Sequence, residues 1–327
     1  MGKRIARIAL YLAVSTALLV GVLLVSFRLA AAQRETEGLA DSLPPFGELN
    51  ETREGRIFTI EKGKPDDPAV LFAHGTAAWS GLWMPTLSAI SVQGYRTIAF
   101  DMPPFGFSEH AADLDYSRSR QAERVIALLQ SLDTKPIMVA HSVGAGPVTE
   151  AVMARPDLVS GLIIVDGALA LNGHLTPNEV PVFLRPKKMR SALVSATATN
   201  PMLTERFLQN FMFVKDVATP DVVTTLQRPM KRLGYTEAVA AWVPQLFVPP
   251  QKAASTRPEN WQALAVPLAF IWGDRDTVTP LSQAQALQKL VAGSQLIVLP
   301  DVGHIPQLED PGKFQNALLD ALEHVKR

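Results

Sequence analysis

The sequence predicts an α/β fold: a mostly parallel sheet with helices on both faces, carrying an inserted helical cap and preceded by one transmembrane helix. Three observations carry this expectation. Short, continuously apolar runs alternate with stretches whose apolar side chains recur every three to four positions. That is the pattern of strands buried on both faces and covered by amphipathic helices. The alternation stops over residues 172–262, which hold ten of the chain's 25 prolines and no strand-like run. Finally, Ile8 to Phe27 contains no charged residue.

At the N-terminus, IALYLAVSTALLVGVLLVSF (8–27) would span about 30 Å as a helix, the thickness of a bilayer's hydrocarbon core. Ala30-Ala31-Ala32 offers an A-x-A cleavage site, so a removable signal peptide and secretion form the competing reading. The apolar stretch is longer than the roughly 7–15 residues of a signal core, and Arg28 intrudes on the cleavage region. Residues 1–32 are therefore expected to be an uncleaved, single-pass anchor. Lys3, Arg4 and Arg7 place the N-terminus in the cytoplasm and the remainder outside it. Residues 33–55, polar and containing Pro44-Pro45, read as a linker.

The strand-like runs follow in order: RIFTIE (56–61), AVLFAH (69–74), YRTIAF (95–100), PIMVAH (136–141), GLIIVD (161–166), PLAFIW (267–272) and QLIVLP (295–300). Helical periodicity marks 120–132, with Val125, Leu128, Leu129 and Leu132 on one face, and recurs at 281–291 and 314–325. The core is thus assigned to 56–171 and 263–327, with a cap over 172–262. Phe207, Phe211 and Met212 form an apolar cluster in that cap, which carries 11 basic against 6 acidic residues. Such an insertion either covers a site and excludes water or is an ornament. Its charge suits anionic or lipidic substrates; solvated cations over a helical core is the plainer reading. The whole chain has 31 basic and 31 acidic residues, which gives no basic footprint for nucleic acid. The lack of cysteine removes disulfides, thiolate catalysis and zinc–thiolate sites.

VAHSVGAG (139–146) lies between a strand and a predicted helix, the context of a turn that presents a nucleophilic serine. Ala140 stands where that turn's first glycine belongs, while Gly144 and Gly146 keep the helix side small. The alternative is that Ser142 caps the helix. A dinucleotide-binding reading fails, because Thr149 occupies the third glycine's place and Pro147 intrudes. A serine nucleophile needs a base, and the base needs an orienting acid. IWGDRDTVTP (271–280) places Asp274 and Asp276 after one strand, and VLPDVGHIPQLEDP (298–311) places His304 after the last. An oxyanion also needs N–H donors. Val143, directly after the serine, supplies one; Thr76, after His74-Gly75, supplies the other.

Taken together, HG (74–75), FDMPPFGFS (100–108), AHSVG (140–144), GDRD-x-x-x-P (273–280) and GH (303–304) resemble, in order, the motifs of the α/β-hydrolase superfamily over about residues 56–326. The resemblance implies an eight-stranded sheet and a Ser142–His304–Asp276 triad, with Asp166 at the preceding strand end as the alternative acid and Asp274 as a loop cap. It is nearest the capped esterases, C–C bond hydrolases, haloperoxidase-like enzymes and epoxide hydrolases. Serine at 142 argues against epoxide hydrolase chemistry, where the family uses aspartate. Pro104 departs from the family's D-x-P-G-x-G-x-S loop and leaves that loop's shape open. The expected activity is hydrolysis of a carboxylic ester on an apolar acyl substrate, without metal or organic cofactor. The alternatives are a C–C hydrolase, a cofactor-free haloperoxidase-like enzyme and a non-catalytic, membrane-tethered ligand-binding protein. His141 and His74 are expected to fill polar gaps beneath the site, and His110, His174 and His324 to lie at the surface. Trp79 and Trp83 line a pocket or belong to the core.

Overall fold

A computed structural model describes residues 2–171, 179–248, 250 and 253–326. Its strands are β1 (Glu48–Thr52), β2 (Gly55–Lys62), β3 (Ala69–Ala73), β4 (Arg96–Phe100), β5 (Ile137–His141), β6 (Gly161–Val165), β7 (Leu268–Gly273) and β8 (Gln295–Leu299). They form one sheet in the order β1-β2-β4-β3-β5-β6-β7-β8; β1 and β2 run antiparallel to their neighbours and the rest are parallel. Ahead of the sheet lie helices α1 (Gly2–Arg34) and α2 (Leu39–Ser42). Between strands come α3 (Met84–Ser91), α4 (Arg118–Ser131) and α5 (Ala145–Ala154). The cap region contributes α6 (Lys187–Ala196), α7 (Thr204–Gln209), α8 (Pro220–Gln227), α9 (Tyr235–Trp242) and α10 (Pro258–Gln262). The chain ends with α11 (Leu281–Leu290), α12 (Pro306–Glu309) and α13 (Pro311–Val325).

Successive side chains of a strand point to opposite faces, and here each face has its own core. Leu71, Ile98, Met138, Ile164 and Phe270 pack under α4, α5 and α11, while Phe72, Ala99, Val139, Ile163 and Ile271 pack under α3 and α13. Both alternating sets are apolar, so the central strands read as unbroken apolar runs. β3 lies between β4 and β5, so the chain leaves it toward one side of the sheet and later returns on the other. The crevice this opens at the strands' C-terminal ends is where ligands bind in such sheets. It receives His74-Gly75 from β3 and Ser142 from β5.

Two features of the N-terminal region depart from the sequence reading. The expected linker contains β1, an edge strand paired with β2 along all five of its residues. Its partly exposed ELNET sequence lacks the apolar run that marked the other strands. Before it, the last turns of α1 lie against the cap. Leu24, Phe27, Arg28, Ala31 and Arg34 form one helical stripe that is partly or wholly buried, whereas residues 3–23 are exposed. Ala31 is fully buried. Arg28 pairs with Glu237 at 2.9 Å, and Arg34 donates to the carbonyls of Met230 and Thr199 at 3.0 and 2.9 Å. Glu35, buried, accepts from the amide and the hydroxyl of Thr236.

Between β6 and β7 the described residues form helices and 3-10 turns without a strand. Proline shapes this region by opening helices: Pro220 and Pro258 sit in the first turns of α8 and α10, where a missing N–H costs nothing. Val194, Met230, Tyr235, Val239 and Trp242 make its interior, with Phe105 and Tyr116 rising from the sheet side.

Candidate active site

β5 ends at His141 and α5 begins at Ala145, so the chain reverses within one 3-10 turn, Ser142–Gly144. Ser142 has φ +53°, a left-handed conformation that costs an L-residue roughly 1–2 kcal/mol. The strain holds its side chain above the strand ends. Its hydroxyl does not cap α5: the N-cap is Gly144, without a side-chain bond. Instead Ser142 Oγ lies 2.8 Å from His304 Nε2. Gly144 is required by packing, since a Cβ there would stand 2.3 Å from the His74 carbonyl oxygen. Ala140 faces the α4–α5 core, where its methyl is fully buried.

His304 Nδ1 bonds Asp276 Oδ2 at 2.7 Å, completing a chain of three side chains from three strand ends. Asp276 Oδ1 accepts from the amides of Val278 (2.7 Å) and Thr279 (2.9 Å), and Oδ2 from the Thr279 hydroxyl (2.6 Å). Burial works to raise the Asp276 pKa, but the bonds from His304 and Thr279 prevail and hold it below the ordinary carboxylate value. Asp166 lies behind this group, fully buried at φ +44°, with Oδ1 accepting from Gly273 N at 2.9 Å. Burial, reinforced by the Asp276 charge, raises its pKa well above the usual range. Between the two carboxylates, Asp276 holds the imidazole. Asp166, Asp276 and His304 are also the described cluster whose donor atoms approach within 4.8 Å. The oxygen and nitrogen that a metal would share there already bond one another. Asp274 accepts from Asp301 N at 2.7 Å and ties the two strand-end loops together, in keeping with a loop-capping role.

The supporting residues fix these positions. His141 Nε2 donates to the His304 carbonyl at 2.7 Å, and burial pushes its pKa down to about 3. His74 Nε2 accepts from Met102 N at 2.9 Å, so its proton is on Nδ1, which donates to Gly75 O at 2.8 Å; burial lowers this pKa to about 4. Both are neutral struts. Glu309, buried, accepts from the amides of Gly303, Ile305, Phe213 and Val214 at 2.9–3.0 Å, joining the His304 loop to the cap. The loop containing Pro104 closes around Asp101, which accepts from Ser80 N and Phe107 N at 2.6 Å each. Gly106 takes φ +66° there, and a Cβ would fall on the Asp101 carboxylate. Burial raises the Asp101 pKa to about 6.

Ser142, Val143, Thr76 and His74 open onto a cavity of about 650 Å³ between sheet and cap. Phe105, Leu169, Phe207, Phe211 and Trp242 contribute its apolar lining. Arg118 is a cation in its wall, donating to Leu169 O and Ser255 Oγ at 2.9 Å; burial lowers its pKa to about 10, so it stays charged. Gly75 lets the β3 loop approach the serine, since a Cβ would lie 2.8 Å from Ser142 Cβ. Trp79 and Trp83 are buried in the sheet's core, packed on Phe107 and on Phe72 respectively. His110, expected at the surface, is largely enclosed. It packs beside Tyr235, and its Nε2 is buried without a partner among the described residues. His324 is partly exposed and bonds Gly293 O at 3.0 Å; His174 lies outside the described residues. Sequence reasoning missed Thr279, Glu309 and Arg118. Only Thr279 left a signal, the D-x-x-T spacing that lets a hydroxyl return to the aspartate.

A family model for the alpha/beta hydrolase fold matches residues 68–311. Among proteins similar in sequence is the 2-hydroxymuconate semialdehyde hydrolase of a Pseudomonas species, 26% identical over 76% of this chain and 83% of that protein. Among solved structures, a meta-cleavage product hydrolase from Pseudomonas fluorescens shares the fold with a TM-score of 0.68 at 19% identity, covering 85% of this chain and 98% of that one. A membrane phospholipase A, described as a bacterial virulence factor, matches with a TM-score of 0.64 at 20% identity and covers 100% of both chains.

Proposed function

Because the chain belongs to the alpha/beta hydrolase family and is a hydrolase, we propose that it cleaves carboxylic esters through a serine nucleophile while held at a membrane by α1. The observation that carries this reading is the unbroken Ser142 Oγ–His304 Nε2 and His304 Nδ1–Asp276 contact, at 2.8 and 2.7 Å, at the floor of an apolar cavity. His304 Nε2 takes the Ser142 proton as Oγ attacks the acyl carbonyl. Asp276 holds the imidazole's Nδ1–H tautomer and stabilises the imidazolium. The Val143 and Thr76 N–H groups receive the oxyanion. Collapse breaks the ester C–O bond, and the alcohol leaves with the proton from Nε2. Water, deprotonated by His304, then attacks the acyl-enzyme and releases the acid with Ser142 restored.

A fluorophosphonate probe is expected to label the folded chain, and Ser142→Ala to abolish labelling and lower ester turnover by at least about 10⁴-fold. A folded chain that takes no label would sink the mechanism. An ester panel from acetyl to palmitoyl then reads the substrate; the apolar cavity favours the longer chains, and a strict preference for acetyl contradicts that. A second reading, C–C bond hydrolysis on the same triad, draws on the 2-hydroxymuconate semialdehyde hydrolase relative and on Arg118, a cation placed to hold a substrate carboxylate. Turnover of a vinylogous diketo acid exceeding that of every ester would favour it.

Retention of α1 is supported by its contacts. Cleavage after Ala32 would remove the buried Ala31 and the Arg28–Glu237 pair. We therefore place the protein in a membrane, with the hydrolase body outside the cytoplasm. A mature chain beginning after Ala32 would refute this, as would release of the intact chain by alkaline carbonate.

A further inference from the structure

We propose that residues 182–190 of the cap form a second membrane contact: a basic and apolar patch that seats on anionic phospholipid headgroups beside the point where α1 leaves the bilayer. The proposal rests on α1 being a membrane span. Its geometry comes from the way α1 and α6 pack. Arg28 pairs with Glu237, which also accepts from the Ser191 hydroxyl at 2.9 Å. Further along α1, Arg34 reaches the carbonyl of Thr199, further along the chain after α6. The two helices therefore run side by side in the same direction. Lys187–Arg190, the first turn of α6, lies level with Leu24–Phe27, the last turn of the uncharged stretch. If hydrocarbon ends at Leu24, where α1 begins to pack on the cap, that turn sits at the headgroup boundary.

Its composition fits the position. Arg185, Lys187, Lys188 and Arg190 fall within six residues, and Val182, Phe183 and Met189 are 73%, 62% and 43% exposed. Arg185 is paired with Glu179, and Arg190 donates to backbone carbonyls. Lys187 and Lys188 have no carboxylate partner among the described residues, and α6 contains no acidic side chain. Lysines at a helix N-terminus oppose the helix dipole, so folding stability gives no reason for them there. An anionic membrane does. Each cation near such a surface strengthens binding about fivefold, and aromatic or aliphatic side chains enter the headgroup–acyl boundary beside it. Attachment at two points would hold the cap, and with it the cavity, in a fixed orientation over the lipid.

Since the chain has no cysteine, single-cysteine variants of the full protein can carry an environment-sensitive fluorophore. Phe183→Cys, Leu12→Cys and Val92→Cys are labelled and reconstituted into vesicles of phosphatidylcholine, with or without phosphatidylglycerol, containing a lipid-borne quencher. The label at position 12 should be quenched in both membranes and the label at position 92 in neither. At position 183, quenching should appear with phosphatidylglycerol, and binding of the patch should weaken about 25-fold on adding Lys187→Gln and Lys188→Gln. The double variant should retain its rate on a water-soluble ester. A label at 183 that stays in water on anionic vesicles, while position 12 is in lipid, overturns the patch and leaves the span intact. A label at 12 that stays in water overturns the span and the patch with it.

Discussion

Substituting Gly75 by alanine tests whether the close approach of the β3 loop to Ser142 builds the proposed site. The added methyl carbon would lie 2.8 Å from Ser142 Cβ and 2.9 Å from His141 Nδ1. Carbon atoms in contact prefer about 3.5–4.0 Å, so relief requires a shift of roughly 1 Å. Neither neighbour is free to give. Ser142 is held in its left-handed turn, and His141 is pinned by the 2.7 Å bond to the His304 carbonyl. The loop must retreat instead, carrying the Thr76 N–H away from the acyl oxygen. A displacement of that size costs about 100-fold in rate, or about 2.7 kcal/mol of transition-state stabilisation; overpacking lowers stability by about 1–3 kcal/mol. The measurements are kcat/KM on a chromogenic ester, the fluorophosphonate labelling rate and thermal unfolding. Gly75→Ala should lose about 100-fold in kcat/KM, mostly in kcat, and label correspondingly slowly. Gly312→Ala is the control, because its methyl would meet only Asp310 Oδ1 at 3.7 Å. A folded Gly75→Ala enzyme within about threefold of wild type would refute the argument that this contact positions an oxyanion donor.

Three other substitutions separate the parts of the site. Thr279→Val removes the hydroxyl from Asp276 Oδ2, a bond to a charged group worth about 1.5–3 kcal/mol. The expected result is a roughly 10–100-fold fall in kcat at unchanged KM, recovered by Thr279→Ser; an unaffected kcat would show the hydroxyl to be incidental. Ala140→Gly restores the expected elbow glycine but deletes a buried methyl. It should cost about 1–2 kcal/mol of stability and leave kcat/KM within about twofold; faster turnover would mean that Ala140 hinders the serine. His110→Gln tests acid sensitivity. The folded pKa of His110 is about 3 against 6.5 unfolded, so the unfolded chain takes up the proton first. The stabilisation is complete above 6.5 and drains away as pH falls toward 3. Between about pH 8 and 5 wild type should lose about 2 kcal/mol more than the variant; equal losses in denaturant titrations would place His110 in contact with solvent.

The contact of Ser142, His304 and Asp276 was legible because each residue follows an apolar strand, where a parallel sheet gathers its ligands. Ser142 was ambiguous as a single motif and became specific once Asp276 and His304 stood at later strand ends. β1 was illegible because an edge strand need bury little, and ELNET has the composition of a linker. The docking of α1 was hidden for a related reason. Arg28, Arg34 and Glu35 look like the charged margin of a span, and their partners, Glu237, Thr199 and Thr236, lie more than 160 residues away. His110 gave no sign of burial because the residues that enclose it come from the cap, whose packing has no simple period. Glu309 sits in LED, an unremarkable acidic stretch whose role depends on amides of the neighbouring His304 loop and of Phe213 and Val214, more than 90 residues away.

That carboxylate has a consequence for how the molecule opens. Phe213 and Val214 after α7 and Gly303 and Ile305 around His304 all donate to it. Separating the segments would strand amide groups on one side or a buried charge on the other, each at about 1–3 kcal/mol or more. This side of the cap and the histidine loop therefore form one cooperative unit. In amide hydrogen exchange, the four N–H groups should share a single opening free energy and lose protection together in Glu309→Gln. Any motion that admits substrate must then leave this side of the cap and the His304 loop joined, with His304 still beside Ser142.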